Sequence, residues 1–309
     1  MIGVSQPNQL DVFAVTAPGL EPLCAGELAG LGVSPTVQDG GVAWSGDMAS
    51  IARANLWSRT ASRIIVRVAE FRARTFFELE RHAKRLPWER FIAPNSGVTF
   101  RVTCRKSKLY HSGAVVQRFA ESVTHRVSGA HITPAAMDDD DGAAVASQLF
   151  VVRVLHDTVT VSADSSGALL HLRGYRQQLA KAPLRETLAA ALLLAARWSA
   201  DEPLFDPMCG SGTIPIEAAR LARRIAPGRD REFAFLRWPD ADRRMWSSLI
   251  EEARSRELSA SPVSIAGADR DEGAIAAARS NAERAGVARD IDFSVQPISA
   301  MPSDAGPGL

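Results

Sequence analysis

The sequence predicts an α/β fold in which a mixed α+β amino-terminal half precedes an open parallel sheet. Three observations carry the prediction. Apolar runs with strand periodicity alternate with amphipathic helical runs along most of the 309 residues. The short run Pro203-Leu204-Phe205 meets an acid, Asp206, then a glycine turn, then a helical pattern. A second apolar run, 264–268, also ends in an acid, Asp269, and also leads into a helix.

Composition narrows the class. Apolar residues make up 46% of the chain and charged residues 23%, which suits a folded globular protein and not a disordered one. No uncharged apolar run is long enough to cross a bilayer, and residues 1–7 lack a basic start and an apolar core. Cys24, Cys104 and Cys209 are too few and too scattered for a disulfide framework or a metal site. These features point to a reducing cytoplasm and to no metal. The net charge of +1 conceals an imbalance. Residues 51–130 hold 16 Lys/Arg against 5 Asp/Glu, and the rest of the chain holds 20 against 30. A basic block of that size marks a surface for a polyanion, with nucleic acid the expected partner.

The elements follow in order. Residues 10–15 read as a strand. Pro18-Gly19 turns the chain into a helix over 21–31, which Gly32 ends. A strand at 42–44 follows the Asp39-Gly40-Gly41 turn, Asp47 caps a helix to about residue 56, and 64–68 is the next strand. This alternation suits a ferredoxin-like α+β unit. A helix over 76–86 stops at Pro87-Trp88, and 98–104 alternates as a strand.

The loop from Arg105 to Ser112 then offers three cations, small polar donors and an aromatic, just before a helix over 114–127. Arg105, Lys106 and Lys108 suit phosphate contacts, and Tyr110 suits stacking on an unpaired base. The plainer alternative is a basic loop with Tyr110 packed on the core. The acidic run 137–142 reads as a solvated loop. Residues 150–154 and 158–162 form a hairpin. Leu172-Arg173-Gly174-Tyr175-Arg176 leads on to a helix over 185–198, opened by Pro183 and Glu186. Arg173 and Arg176 either touch RNA phosphate or pair with acids.

The stretch Asp206-Pro207-Met208-Cys209-Gly210-Ser211-Gly212-Thr213 is the candidate site. Gly210 and Gly212 remove Cβ atoms that would keep a ligand off the backbone. Thr213 is read as a cap, and free N–H groups at the start of the following helix, 214–225, can bind a polar group. A dinucleotide loop needs a third glycine where Pro215 stands, and Asp206 would repel a pyrophosphate. An acid there suits the amine and sulfonium of S-adenosylmethionine. Asp269, with its neighbour Arg270, is placed to hold the ribose hydroxyls, while Asp271 reads as the cap of a helix to Ala285. A third strand, 291–295, is followed by Gln296 and Pro297.

The run 206–213, with Ile216-Glu217-Ala218-Ala219 after it, resembles motif I of the THUMP-domain RNA methyltransferases, class I enzymes that use S-adenosylmethionine. Phe13 to Leu23, Leu170 to Arg176 and the insertion Ile225-Ala226-Pro227-Gly228 to Trp238-Pro239 are similar to the same family. The resemblance implies three domains: a ferredoxin-like domain over 1–65, an RNA-binding THUMP domain over 66–165 and a Rossmann-like methyltransferase domain over 166–309. It implies methylation of a guanine exocyclic amine in tRNA or 23S rRNA. The aromatics of that insertion read most simply as core that covers one sheet face. Where the family holds the adenine amine with an acid, this chain has Pro297, which leaves Gln296 or a backbone group for that contact. The family's catalytic Asn/Asp-Pro-Pro-Tyr has no match, so no catalytic residue is assigned. The chain is therefore expected to be an incomplete, by itself inactive piece of a longer enzyme, with strand 204–205 left at an open sheet edge. The alternative is an inactive RNA-binding protein with a vestigial cofactor domain. A nicotinamide oxidoreductase is disfavoured by Asp206 and Pro215.

Overall fold

The structure is a computed structural model and describes residues 9–134, 147–176 and 184–300. The expected acidic loop 137–142 and residues 1–7 lie outside the described residues. The amino-terminal part comprises β1 (Leu10–Val15), α1 (Glu21–Gly30), β2 (Thr36–Gln38), β3 (Gly41–Gly46), α2 (Met48–Trp57) and β4 (Arg63–Arg72). It continues through α3 (Phe76–Ala83), β5 (Gly97–Arg105), α4 (Ser112–Arg126), β6 (His131–Ile132), β7 (Gln148–Leu155) and β8 (Thr158–Asp164).

Local chemistry sets these boundaries. The Asp47 carboxylate accepts the Ser50 N–H at 2.8 Å and starts α2. Thr75 and Glu78 form a reciprocal capping box at α3. The helix expected over 76–86 ends early, at Ala83, and Trp88 opens a separate 3-10 turn.

All eight of these strands share one mixed sheet, in the order β2-β3-β1-β4-β8-β7-β5-β6. β4 pairs with β1 on one side and β8 on the other, so the position 65/66 falls inside a strand. One core runs beneath both halves, with Val12, Ile64, Trp88, Phe119 and Phe150 all buried. The short β2 and β6 carry no periodicity of their own. They exist because β3 and β5 offer open edges to them.

The remaining elements are α5 (Glu186–Ala195), β9 (Leu204–Asp206), α6 (Thr213–Ala222), α7 (Arg243–Ser255), β10 (Ile265–Asp269), α8 (Glu272–Ala285) and β11 (Ile291–Val295). β11, β10 and β9 form a parallel sheet, with β9 at one edge. Among the described residues, no helix is long and apolar enough to cross a membrane.

The insertion adds a helix, α7, capped by Asp242. Its aromatics are core against a sheet face, as expected. The face that they cover belongs to the eight-stranded sheet and not to the small one. Phe233, Phe235 and Trp238 join that sheet's core. Trp238 meets Phe91 edge-on at 5.0 Å, and its Nε1 donates to Gln148 Oε1 at 2.8 Å. Trp246 closes over Phe233 and Phe235 at 5.4 and 5.6 Å. The physical reason is size. The small sheet is already covered by α6 and α8 through small side chains such as Ala218, Ala219, Ala282 and Ala285. The large rings fill the deeper core of the eight-stranded sheet instead.

Candidate functional site

β9 and β10 run side by side in parallel, with Gly267 opposite Asp206. Asp206 and Asp269 therefore emerge at the same carboxyl edge of the sheet, where open α/β sheets bind ligands. The turn between β9 and α6 is pinned to both strands. Asp206 Oδ1 accepts the Met208 N–H at 3.1 Å, and the Cys209 N–H donates to the Ala268 carbonyl at 2.9 Å. Asp269 accepts from Gly210 at 2.9 Å and from Asp271 at 3.0 Å. Asn281, buried on α8, donates to the Ser211 carbonyl at 3.1 Å. Its role was missed from sequence; the signal was an amide on the Ala-rich, inward face of a helix.

The two glycines differ. Gly210 has φ +53°, and a Cβ there would meet nothing within 4 Å, so the space above it is open. Gly212 has φ +82°, and a Cβ there would stand 2.9 Å from Ala278 Cβ. Thr213 does not cap α6. Gly212 occupies the cap position with no side-chain hydrogen bond, because the left-handed backbone closes the turn itself. Among the described residues no group accepts from the N–H of Ser211, Thr213 or Ile214. Those donors point out at the start of a helix, where they favour an anionic or polar ligand group.

The crevice is electronegative. Burial holds the Asp206 carboxyl above the usual carboxylate range, and the Asp269 charge adds to the effect, against one stabilising N–H from Met208. Burial and the same two carboxylates push the Cys209 thiol up to about 12, so it is no nucleophile. Among the described residues, neither acid has an ion-pair partner. Arg270 is exposed beside Asp269, and Met208 is exposed at the turn. Gln296 donates its N–H to the Asp269 carbonyl at 2.9 Å and its side-chain amide to Ala300 at 2.8 Å. It thus lies at the rim beside Asp269.

The basic loop after β5 is on the surface. Arg105, Lys106, Lys108 and Tyr110 are all exposed. Arg173 is not available to RNA. It is wholly buried in an ion pair with Glu217 of α6 and donates to the Arg59 carbonyl at 2.8 Å. Arg176 is turned inward too, onto Glu186 at 3.2 Å and the Leu184 carbonyl at 2.6 Å. A guanidinium seated on a buried carboxylate makes charge-assisted hydrogen bonds there, and drawing it out to a phosphate would leave that carboxylate buried and unpaired.

An open parallel sheet with acids ending two neighbouring strands, around a bare-backbone turn, defines an α/β protein with an electronegative crevice at the carboxyl edge of its sheet. Residues 173–306 match the family described as RMKL-like, methyltransferase domain, and residues 11–65 match the RlmL ferredoxin-like domain. The candidate RNA methyltransferase YpsC of Bacillus subtilis is 38% identical over 279 residues, which cover 90% of this chain and 72% of that protein. The ribosomal RNA large subunit methyltransferase K/L of Syntrophotalea carbinolica is 38% identical over 315 residues, 95% of this chain but 42% of that protein. The crystal structure of SMU.472, a candidate methyltransferase complexed with SAH, superposes with a TM-score of 0.84 at 31% identity, covering 98% of this chain and 79% of that one. The chain belongs to this RlmL-like family of RNA methyltransferases.

Proposed function

We propose that the crevice between Asp206 and Asp269 binds S-adenosylmethionine, and that the protein methylates the exocyclic amine of a guanine in structured RNA, either tRNA or 23S rRNA. The observation that carries this is two half-buried carboxylates, without an ion-pair partner among the described residues, facing open space above Gly210. The donor fits that set. Its amine and sulfonium are cations for Asp206, its carboxylate meets the open N–H groups of Ser211, Thr213 and Ile214, and its ribose hydroxyls donate to the remaining lone pairs of Asp269. Gln296 borders the adenine edge. The SAH in the related SMU.472 structure is the demethylated form of the same donor.

When bound, that group supplies an electrophilic methyl for in-line attack by an amine. The chain's own residues bind and orient. Asp206 and the turn fix the methionine end, and Asp269 fixes the sugar, so the methyl is held along one line. The basic amino-terminal half holds the RNA at a distance from the crevice.

Titration calorimetry with S-adenosylmethionine tests the reading. Asp269→Asn should weaken binding about tenfold or more by removing charge-assisted hydrogen bonds. Full affinity in both Asp206→Asn and Asp269→Asn would remove the donor from this crevice. RNA binding with no donor affinity in the unaltered protein would favour the inactive RNA-binding alternative.

A further inference from the structure

The turn that carries the open N–H groups is steered from α8. The peptide joining Ser211 to Gly212 is held at both ends. Its N–H, on Gly212, donates to the Cys209 carbonyl at 2.8 Å, and its carbonyl, on Ser211, accepts from Asn281 Nδ2 at 3.1 Å. The carbonyl and N–H of a trans peptide point to opposite sides, so these two bonds fix its plane. The Ser211 N–H precedes that peptide and the Thr213 N–H follows it. Its plane therefore sets the directions in which both donors leave the turn.

Asn281 is set one way round by its neighbour. Arg284 Nη2 donates to Asn281 Oδ1, and an arginine has no acceptor, so the amide nitrogen is the end that faces Ser211. Arg284 is held at two further points. Its Nε donates to the Tyr175 carbonyl at 2.7 Å, and its Nη1 to Ser280 Oγ at 2.7 Å. Tyr175 reaches α6 through its hydroxyl, on Glu217 at 2.9 Å. A line of bonds thus runs from α6 through Tyr175, Arg284 and Asn281 to the turn at the head of α6. The rest of the buried face of α8 is Ile275, Ala277, Ala278, Ala282 and Ala285. Packing alone would not place an amide in that row, since a buried amide must find partners at both ends. Arg284 is exposed, and none of its three acceptors is a carboxylate.

We propose that Asn281, oriented by Arg284, is the positioning residue that sets the N–H groups of the turn for the amino-acid end of the methyl donor. The proposal rests on the reading that the crevice binds S-adenosylmethionine. Neither side chain touches the donor; both act through the Ser211–Gly212 peptide. In that reading Asp269 and Gln296 hold the nucleoside from other elements, so the loss should fall on the amino-acid end alone.

Titration calorimetry with two ligands tests this. S-adenosylmethionine has both ends, whereas methylthioadenosine keeps the nucleoside and sulfur and lacks the amine and carboxylate. Asn281→Asp keeps the size and the Arg284 contact and removes the donor to Ser211. It should weaken S-adenosylmethionine about tenfold and leave methylthioadenosine unchanged. Arg284→Met, at the exposed end of the line, should shift the ratio of the two affinities the same way in a folded protein. Amide exchange at Gly212 should quicken in both variants. Val287→Ala, in the same core, is the control: it should lower the melting temperature and keep the ratio. Equal losses for both ligands, or a ratio that Arg284→Met leaves unmoved, overturn the positioning role while the donor reading stands. No binding of S-adenosylmethionine by the unaltered protein overturns the donor reading and this proposal with it.

Discussion

Gly210 and Gly212 stand two residues apart in one turn and are glycine for different reasons. At Gly212 a side chain would collide with Ala278 and Phe293, at 2.9 and 3.1 Å, on top of a left-handed backbone. Gly212→Ala should cost about 2–4 kcal/mol in urea unfolding. Gly210→Ala meets no atom and should cost about 1 kcal/mol, yet it should weaken donor binding by putting a methyl into the open space. Asp206 gives a pH test. Burial, with the Asp269 charge added, raises its pKa, so the folded protein holds that proton more tightly than the unfolded chain. Its contribution to the stability of the ligand-free protein is present at low pH and is lost as pH rises through the raised pKa. A bound cation favours the ionised form, so donor affinity should rise with pH over the same window. Calorimetry at stepped pH checks this; an affinity flat across the acid range would take Asp206 out of the site. Residue types at this turn were legible because acid, glycine and glycine each leave a local signature. The Thr213 cap was misread because a left-handed Gly212 needs no side-chain cap.

At the scale of the element, α6 links the site to the rest of the molecule. It starts at the glycine turn, and its Glu217 takes Arg173 on one carboxylate oxygen and the Tyr175 hydroxyl, at 2.9 Å, on the other. Arg173 in turn holds the Arg59 carbonyl, and Arg59 holds that of Ile225 at 2.8 Å. Glu217→Ala leaves Arg173 charged, buried and unpaired, and should cost about 3–5 kcal/mol. Tyr175→Phe removes one hydrogen bond and should cost about 1 kcal/mol. Chemical denaturation of both variants measures the difference, and equal losses would mean that the ion pair is not what holds α6. The helical period of 213–222 can be read from spacing. The partner of Glu217, 44 residues back, cannot, because nothing local distinguishes an arginine that will be buried from one that will meet RNA. Arg59 and Arg63 of the basic block are likewise buried. The charge count was right as chemistry and too large as surface.

At the scale of the whole molecule, the insertion fastens the two sheets. Trp238, between Phe91 and Gln148, lies in a core whose other members come almost wholly from the first 170 residues. Trp238→Ala should cost about 3–5 kcal/mol and should separate one calorimetric unfolding transition into two, the smaller sheet melting first. A single transition at a merely lower temperature would show that the Arg173–Glu217 pair suffices as the joint. The sequence by itself determined the parallel sheet with its acids, the glycine turn, the caps at Asp47 and Asp271 and the basic loop, since each depends on neighbours within a few residues. The tertiary structure decided which arginines are buried, where the aromatic insertion packs, and that β4 makes one sheet of two expected units. Those outcomes turn on which distant surfaces exclude water together, and a burial that brings together residues far apart in the chain leaves no periodicity along it.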